Sequence, residues 1–301
     1  MKKIFVFFTL IITLQLQAQV QPVLPELSQQ FTNIRDFTVF QNHAWFSAQS
    51  PLGDISVIVQ VEKSDGVWKN PQIASFSGKY HDLEPFITHD GLSLYFASNR
   101  PENDNDKNKD YDIWVVSRKD LTSAWPEPRN LGSQVNSDGN EFYPSLTKSG
   151  NLYFTANKSD SKGKDDIYFS EFKDGAFQKS YSLGSEINTD GDEYNAYVSK
   201  DESYLVFGAY KRADGLGSGD LYISRRNSDG NWGQADNLGE KVNSAQMDYC
   251  PFVDEENNVL YLTSRRNNLD TTEFTNLEQL LQTFNSIENG LSRIYQVKMS
   301  L

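Results

Sequence analysis

An apolar residue followed by a small one recurs at near-constant spacing along this 301-residue chain, and this repeat limits the fold more than any other feature. The three clear copies and two weaker ones are Leu131-Gly132, Leu183-Gly184, Leu238-Gly239, Phe76-Ser77 and Leu27-Ser28. In chain order, their first residues are separated by 49, 55, 52 and 55 positions. A period of about 50 residues is typical of one four-stranded blade of a β-propeller. The repeat therefore predicts an all-β protein built from such blades.

Each repeat contains the same succession of predicted strands, which we name a, b, c and d. Residues 82–100 illustrate strands a and b: two apolar runs flank the turn pair Asp90-Gly91, as in a β-hairpin. Strand c then opens on a polar residue and strand d carries an aromatic one. The openings of strand c are Asp54, Asp112, Asp166, Asp220 and Arg293, and the aromatic residues of strand d are Trp68, Trp125, Phe177 and Trp232.

The two ends of the chain predict how the ring closes. After the last Leu-Gly pair the chain holds strands a, b and c but no strand d, whereas residues 21–28 resemble an unpaired strand d. We expect residues 23–27 to complete the last blade beside residues 294–297, because closure hides strand edges that an open array exposes. The prediction is a five-bladed propeller formed by residues 19–301, with six blades as the alternative if two units have been merged.

The repeats also resemble a known family. The stretch GDLYISRR…DGNW…NLGEKVNS…MDYCPFVDEENNVLYLTSRR is similar to the WD-like propeller repeats of the TolB type. This resemblance implies a secreted or periplasmic bacterial protein whose propeller serves as a scaffold for binding. Five blades depart from the six usual in TolB itself.

Composition excludes some classes of partner. The formal net charge is −13 and the isoelectric point is about 4.7, which argues against nucleic acid and against anionic membrane surfaces. Residues 1–18 combine Lys2 and Lys3 with a short apolar core and the cleavage-site motif Leu16-x-Ala18, as a cleaved signal peptide does. We therefore expect a periplasmic or secreted protein. No later segment is predicted to span a membrane, and we expect a monomer.

The residues that open strand a form the first candidate site. On a propeller they would surround one mouth of the central channel, where they would bind a cation, a polyhydroxylated ligand or an amine. The alternative is that each carboxylate accepts backbone hydrogen bonds and shapes its own turn. The candidate ligand-binding residues are Asn33, Asp82, Glu141, Glu193 and Asp248.

A second candidate site lies in the loop between strands b and c of the second unit. Asp104, Asp106, Asn108 and Asp110 alternate there, and oxygen ligands on alternate residues suit calcium. The alternative is a solvated acidic loop, since the glycine typical of calcium loops is missing. No other cofactor is predicted. We expect the cations that precede these loops to pair with the aspartates that follow them, as Arg100–Asp112, Lys158–Asp166 and Arg212–Asp220.

The sequence holds few enzyme motifs. It contains no G-x-S-x-G elbow and no H-E-x-x-H, and we assign no catalytic residue. The favoured hypothesis is a non-enzymatic extracytoplasmic scaffold with a protein or cell-wall-associated partner. The alternative is a propeller hydrolase or lyase that acts on a glycan or lactone through acidic residues at the channel mouth.

The last unit carries an insertion that predicts a helix. Thr275 and Glu278 form a capping box, an apolar stripe follows at helical spacing, and Asn289-Gly290 ends it. We expect a helix over residues 275–288 that packs its stripe on the acidic face. Exposure of the stripe would instead mark a docking surface.

Overall fold

The described residues form five four-stranded antiparallel sheets and one two-stranded hairpin. The computed structural model describes residues 19–103, 110–269, 273–299 and 301. The sheets are the five blades of a β-propeller, and this confirms the predicted fold class and blade count. The predicted signal peptide lies outside the described residues.

The strands follow the predicted order a to d in each blade. The chain begins with β1 (Gln21–Pro22) and a short 3-10 helix (Leu27–Gln29). Blade 1 contains β2 (Asn33–Phe40), β3 (His43–Gln49), β4 (Ser56–Ser64) and β5 (Val67–Ile73). Blade 2 contains β6 (Asp82–Ile87), β7 (Ser93–Ser98), β8 (Asp112–Ser117) and β9 (Arg129–Asn130). Blade 3 contains β10 (Glu141–Leu146), β11 (Leu152–Ala156), β12 (Asp166–Ser170), the small hairpin β13 (Phe172–Lys173) and β14 (Ala176–Phe177), and β15 (Tyr181–Ser182). Blade 4 contains β16 (Asp192–Val198), β17 (Tyr204–Tyr210), β18 (Asp220–Arg225) and β19 (Asp236–Asn237). Blade 5 contains β20 (Asp248–Asp254), β21 (Val259–Ser264), the helix α1 (Leu277–Phe284) and β22 (Arg293–Lys298).

The N-terminal strand closes the ring, as predicted. β1 is the fourth strand of blade 5: Gln21 pairs with Gln296 and Pro22 with Tyr295, and the Val23 amide donates to Ile294 O at 3.0 Å. The pairing begins two residues earlier than expected, because the chain turns at Pro25 into the 3-10 helix. Leu24 and Leu27 are buried in the core there, so the N-terminal segment contributes packing as well as hydrogen bonds.

Every innermost strand carries a bulge at the same position, which decides what faces the channel. In each blade the register between strands a and b shifts at the residue two positions after the one that opens strand a. This bulged residue is not a glycine, yet it adopts a positive φ. These residues are Asp36 (64°), Glu84 (59°), Tyr143 (51°), Asn195 (53°) and Cys250 (51°). The bulge turns two successive side chains of each blade towards the channel, where a regular strand would send one of them away.

The register of blade 1 corrects two sequence assignments. Ile34 pairs with Ala48 as Asp82 pairs with Ser98, so Ile34, not Asn33, is the structural equivalent of the strand-opening acids. Strand c of this blade begins at Ser56, and Asp54 lies in the preceding loop, where a hydrogen bond from the Ser50 hydroxyl lowers its pKa.

The helix is present but shorter than predicted, and its surroundings differ. Asn276 caps it by accepting from Gln279 N at 2.9 Å, one residue later than the expected box. Leu277, Leu281 and Phe284 are 67%, 48% and 57% exposed. The prediction that the whole stripe packs on the acidic face was therefore wrong, although its other two residues, Leu280 and Ile287, are half-buried and Ile287 packs against the core. The Asn267–Asn289 bridge closes the insertion that carries α1. No helix in the described ranges is long and apolar enough to cross a membrane.

Candidate binding site at the channel mouth

The four carboxylates predicted at the channel mouth are buried, and each forms an ion pair within its own blade. Asp82 Oδ1 lies 2.7 Å from Arg100 Nη2. The equivalent pairs are Glu141–Lys158 at 3.3 Å, Glu193–Arg212 at 3.0 Å and Asp248–Arg266 at 3.4 Å. Burial raises the pKa of Glu141 and of Asp248. The paired cation offsets the cost of burying each ionised carboxylate.

The predicted partners of these cations were wrong. Each cation lies just after strand b, and its side chain pairs with the acid that opens strand a of the same blade. The aspartates that open strand c have other bonds: Asp166 accepts from Lys162 N at 2.9 Å, and Asp220 accepts from Gly217 N at 3.2 Å. These aspartates shape the loops between strands b and c.

Each strand-opening acid also holds the turn before it. Ser137 Oγ donates to Glu141 at 2.5 Å, Thr189 Oγ1 to Glu193 at 2.7 Å and Ser244 Oγ to Asp248 at 2.7 Å. A Ser or Thr four residues before the acid is visible in the sequence of blades 3, 4 and 5, and in blade 2 the donor is Ser77, five residues before Asp82. It is the signal that favours the turn-shaping alternative over ligand binding for these residues.

Blade 1 supports the same interpretation. Ile34 occupies the position of the acid, and Ser50 occupies the position of the cation, so both charges are absent together. Asn33 accepts from Ser292 N at 3.1 Å and donates to Ser50 O. That the five predicted residues bind a ligand stays a prediction. Their contacts favour a structural role, and the ligand-accessible groups lie one and two positions further along strand a.

A charged cluster crosses the channel at the bulges. Arg35 Nε donates to Asp36 at 2.6 Å and its Nη2 donates to Glu84 at 2.6 Å and to Cys250 Sγ at 3.3 Å. Asn195 Nδ2 donates to Glu84 at 3.3 Å, and the Tyr143 amide donates to the other oxygen of Glu84 at 2.8 Å. One guanidinium therefore links side chains from three blades.

The cluster holds two carboxylates and one cation, so one negative charge is in excess when both acids are ionised. Burial, with Asp36 beside it, raises the pKa of Glu84 to about 7, although Arg35 opposes the shift. Burial also raises the pKa of the Cys250 thiol, which disfavours the reactive thiolate. Ligand atoms of Asp36, Glu84 and Cys250 lie within 4.8 Å of one another. Arg35 already bonds all three, and we assign no metal to them.

Above this cluster opens a cavity of about 660 Å³. It lies on the face where the loops between strands b and c emerge, and Arg35 and Glu84 lie at its floor. Its aromatic lining consists of Tyr111, Phe142, Tyr194, Tyr210 and Tyr249, and its other polar lining includes Asp165, Asp192, Ser218 and Arg265. Three of the aromatic residues directly follow strand-opening acids.

The Tyr194 ring shows how closely this lining is built. It lies against Gly208, where a Cβ would approach Tyr194 Cε2 to 2.5 Å, and its hydroxyl points at Gly219. Tyr194 Oη has no hydrogen-bond partner among the described residues. A side chain at residue 208 would displace the ring, so this glycine is required for the shape of the cavity.

The charges of the cavity are separated. Asp165 and Asp192 lie together between blades 3 and 4, and burial, reinforced by Asp192, raises the pKa of Asp165. Arg35 and Arg265 lie on the side of blades 1 and 5, where their guanidinium carbons are 5.1 Å and 6.0 Å from the centre of the Tyr249 ring. One wall therefore accepts hydrogen bonds and the opposite wall donates them.

The predicted calcium ligands Asp104, Asp106 and Asn108 lie outside the described residues. Asp110 borders an acidic hollow of about 200 Å³ with Asp112 and Asp138, and burial raises the pKa of Asp112 to about 7. Calcium binding by this loop stays a prediction.

Comparison with known proteins supports the fold. No family model and no curated protein matches the sequence. Among solved structures, the GH43 endo-arabinanase from Bacillus licheniformis aligns with a TM-score of 0.52 at 15% identity, over 88% of this protein and 93% of that one. The catalytic domain of the GH62 α-L-arabinofuranosidase from Coprinopsis cinerea aligns with a TM-score of 0.52 at 10% identity, over 93% and 96%. TolB from Acinetobacter baumannii aligns with a TM-score of 0.48 at 14% identity, over 88% and 54%. A β-propeller is supported, whereas the TolB-like assignment is not.

Proposed function

We propose that this protein binds a glycan in the channel-mouth cavity. The observation that carries the proposal is the lining: five aromatic side chains interleaved with carboxylates and guanidinium groups around about 660 Å³. Sugar rings present apolar faces that pack on aromatic rings, and hydroxyl groups that pair with charged acceptors and donors. A cell-wall-associated glycan is also a partner of the kind that the scaffold hypothesis requires.

A saccharide panel tests this proposal by titration calorimetry. Tyr210 is 38% exposed at the cavity, so Tyr210→Ala removes a stacking surface with little effect on packing, and we expect at least tenfold weaker binding. Tyr181→Ala is the matched control, because Tyr181 is also exposed but lies on the outer strand of blade 3. Absence of binding to every saccharide, or equal loss in both variants, would contradict the proposal.

Glycan hydrolysis is the second candidate function. The solved structures with similar folds include an endo-arabinanase and an arabinofuranosidase, and the cavity holds carboxylates in two different settings. Glu84 at the floor has a pKa of about 7, which suits a general acid, and Asp192 on the wall is a candidate base. Asp36 is not assigned as the partner of Glu84 in the reaction, because it is buried and does not line the cavity.

Release of reducing ends from polysaccharides tests hydrolysis separately from binding. We expect Glu84→Gln and Asp192→Asn each to reduce the rate at least a hundredfold while a bound saccharide is retained. If the wild-type protein binds saccharide but releases no reducing ends, hydrolysis is contradicted and glycan binding without catalysis is supported.

We also propose that the protein acts outside the cytoplasm, in the periplasm or after secretion. Its support is the signal-like composition of residues 1–18. N-terminal sequencing of the mature protein should begin at Gln19. A mature protein that begins at Met1 would contradict this.

A further inference from the structure

We propose that the cavity is specific for an acidic saccharide, whose carboxylate is bound by Arg35 and Arg265 beside the Tyr249 ring. This inference rests on the proposed glycan-binding function and names the class of glycan.

The first support is the incomplete pairing of Arg35. Its Nε and Nη2 donate to Asp36, Glu84 and Cys250, whereas Nη1 donates to no described residue. Arg35 lines the cavity with 18% of its side chain exposed. The acids on one edge hold the guanidinium in place and leave the other edge for a ligand.

The second support is the contrast between Arg265 and its neighbour. Arg266 pairs with Asp248, as Arg100 and Arg212 pair with the acids of their blades. Arg265 lines the cavity and has no carboxylate within 4.0 Å in the described part of the sequence; its side-chain hydrogen bond goes to Ser292 Oγ at 3.3 Å. The Arg265 guanidinium is therefore not occupied by a carboxylate of the described residues and can donate to a ligand in the cavity.

The third support is the position of the two groups. Both guanidinium carbons lie within 6.0 Å of the centre of one ring, that of Tyr249. A carboxylate beside this ring would accept from Arg35 Nη1 and from the planar donors of Arg265, a geometry that guanidinium groups favour. The hydroxyl groups of the same sugar would then donate to Asp165 and Asp192 on the opposite wall.

Protonation of Glu84 should assist this binding, because it removes the excess negative charge beside Arg35. The charged and titratable groups that face Glu84 are Arg35 and Asp36 on β2, Tyr143 on β10, Tyr249 and Cys250 on β20, and Tyr111 before β8. Affinity for an acidic saccharide should therefore fall as pH rises through about 7, and affinity for a neutral one should not.

An oligogalacturonate and its methyl ester of equal length test the inference, because they differ only in the charge of the carboxyl groups. By calorimetry with the full-length mature protein we expect the free acid to bind at least tenfold more tightly. Arg265→Met should weaken binding of the free acid tenfold and leave binding of the ester unchanged. Arg225→Met, at an exposed arginine away from the cavity, should change neither affinity.

Equal affinity for acid and ester, or an unchanged acid affinity in Arg265→Met, would overturn the inference. Binding of neutral saccharides alone would do so too and would leave the proposed function standing, whereas no binding of any saccharide would contradict both. A sulfated saccharide that needs Arg265, combined with no binding of the galacturonate, would overturn the assignment of a carboxylate.

Discussion

Breaking one of the repeated buried ion pairs should reveal whether the strand-opening acids are structural. In blade 2, Asp82→Ile leaves Arg100 without a carboxylate partner, and the side chains of the two residues are 0% and 7% exposed. Removing one partner of such a pair costs about 3–5 kcal/mol, because the other charge stays buried. For a domain of this size that corresponds to a fall in Tm of about 10 °C.

Removing both charges should cost much less. Blade 1 is the natural precedent, since Ile34 and Ser50 stand where the other blades have the pair. In Arg100→Met the side-chain stem still packs on Phe96 and Trp114, which the guanidinium carbon approaches to 4.9 Å and 5.4 Å from the ring centres. The double variant Asp82→Ile/Arg100→Met should therefore lie within about 1–2 kcal/mol of the wild type.

The assay is equilibrium unfolding in urea for the wild type, both single variants and the double variant, with saccharide binding measured in parallel. The coupling energy between the two sites should reach at least about 2 kcal/mol. Additive single costs would refute the buried-pair argument. A double variant that is stable but no longer binds saccharide would show that the Asp82–Arg100 pair also supports ligand binding.

Three further predictions concern the buried acid Glu84, the closing N-terminal segment and the acidic loop of blade 2. Because the pKa of Glu84 is raised, its contribution to stability is full below pH 4.5 and is lost as pH rises through about 7. The unfolding free energy of the wild type relative to Glu84→Gln should therefore change by about 3 kcal/mol across this pH range, and a pH-independent difference would contradict the prediction. Leu24→Ala should lower the unfolding free energy by about 2–5 kcal/mol, because Leu24 is 2% exposed where β1 closes blade 5. Leu52→Ala, at a side chain that is 91% exposed, should lower it little, and equal Tm values for the two variants would argue against closure by this segment. Millimolar calcium should raise the Tm through residues 104–110, and Asp110→Asn should abolish the rise; no response in the wild type would end the calcium hypothesis.

The exposed side of α1 marks the limit of the helix prediction. The helical spacing of Leu277, Leu280, Leu281, Phe284 and Ile287 correctly indicated a helix, which covers the first four of them. Periodicity reports that one face is apolar, but it does not report which surface covers that face. The prediction of a helix was therefore confirmed, while the prediction of a covered stripe was wrong.

The repeat period determined the all-β propeller class, because strand length and turn residues are local properties that recur in the sequence. The strands left over at the two ends of the sequence indicated five blades and the closing N-terminal strand. The face of the channel mouth also followed from strand order. Which side chains line that mouth was decided only by the tertiary structure. The shared bulge shifts the strand by one residue, so Leu83 and Glu84 face the cavity while Asp82 turns into the blade. Arg35 and Arg265 meet at Tyr249 only because closure of the propeller brings blades 1 and 5 together.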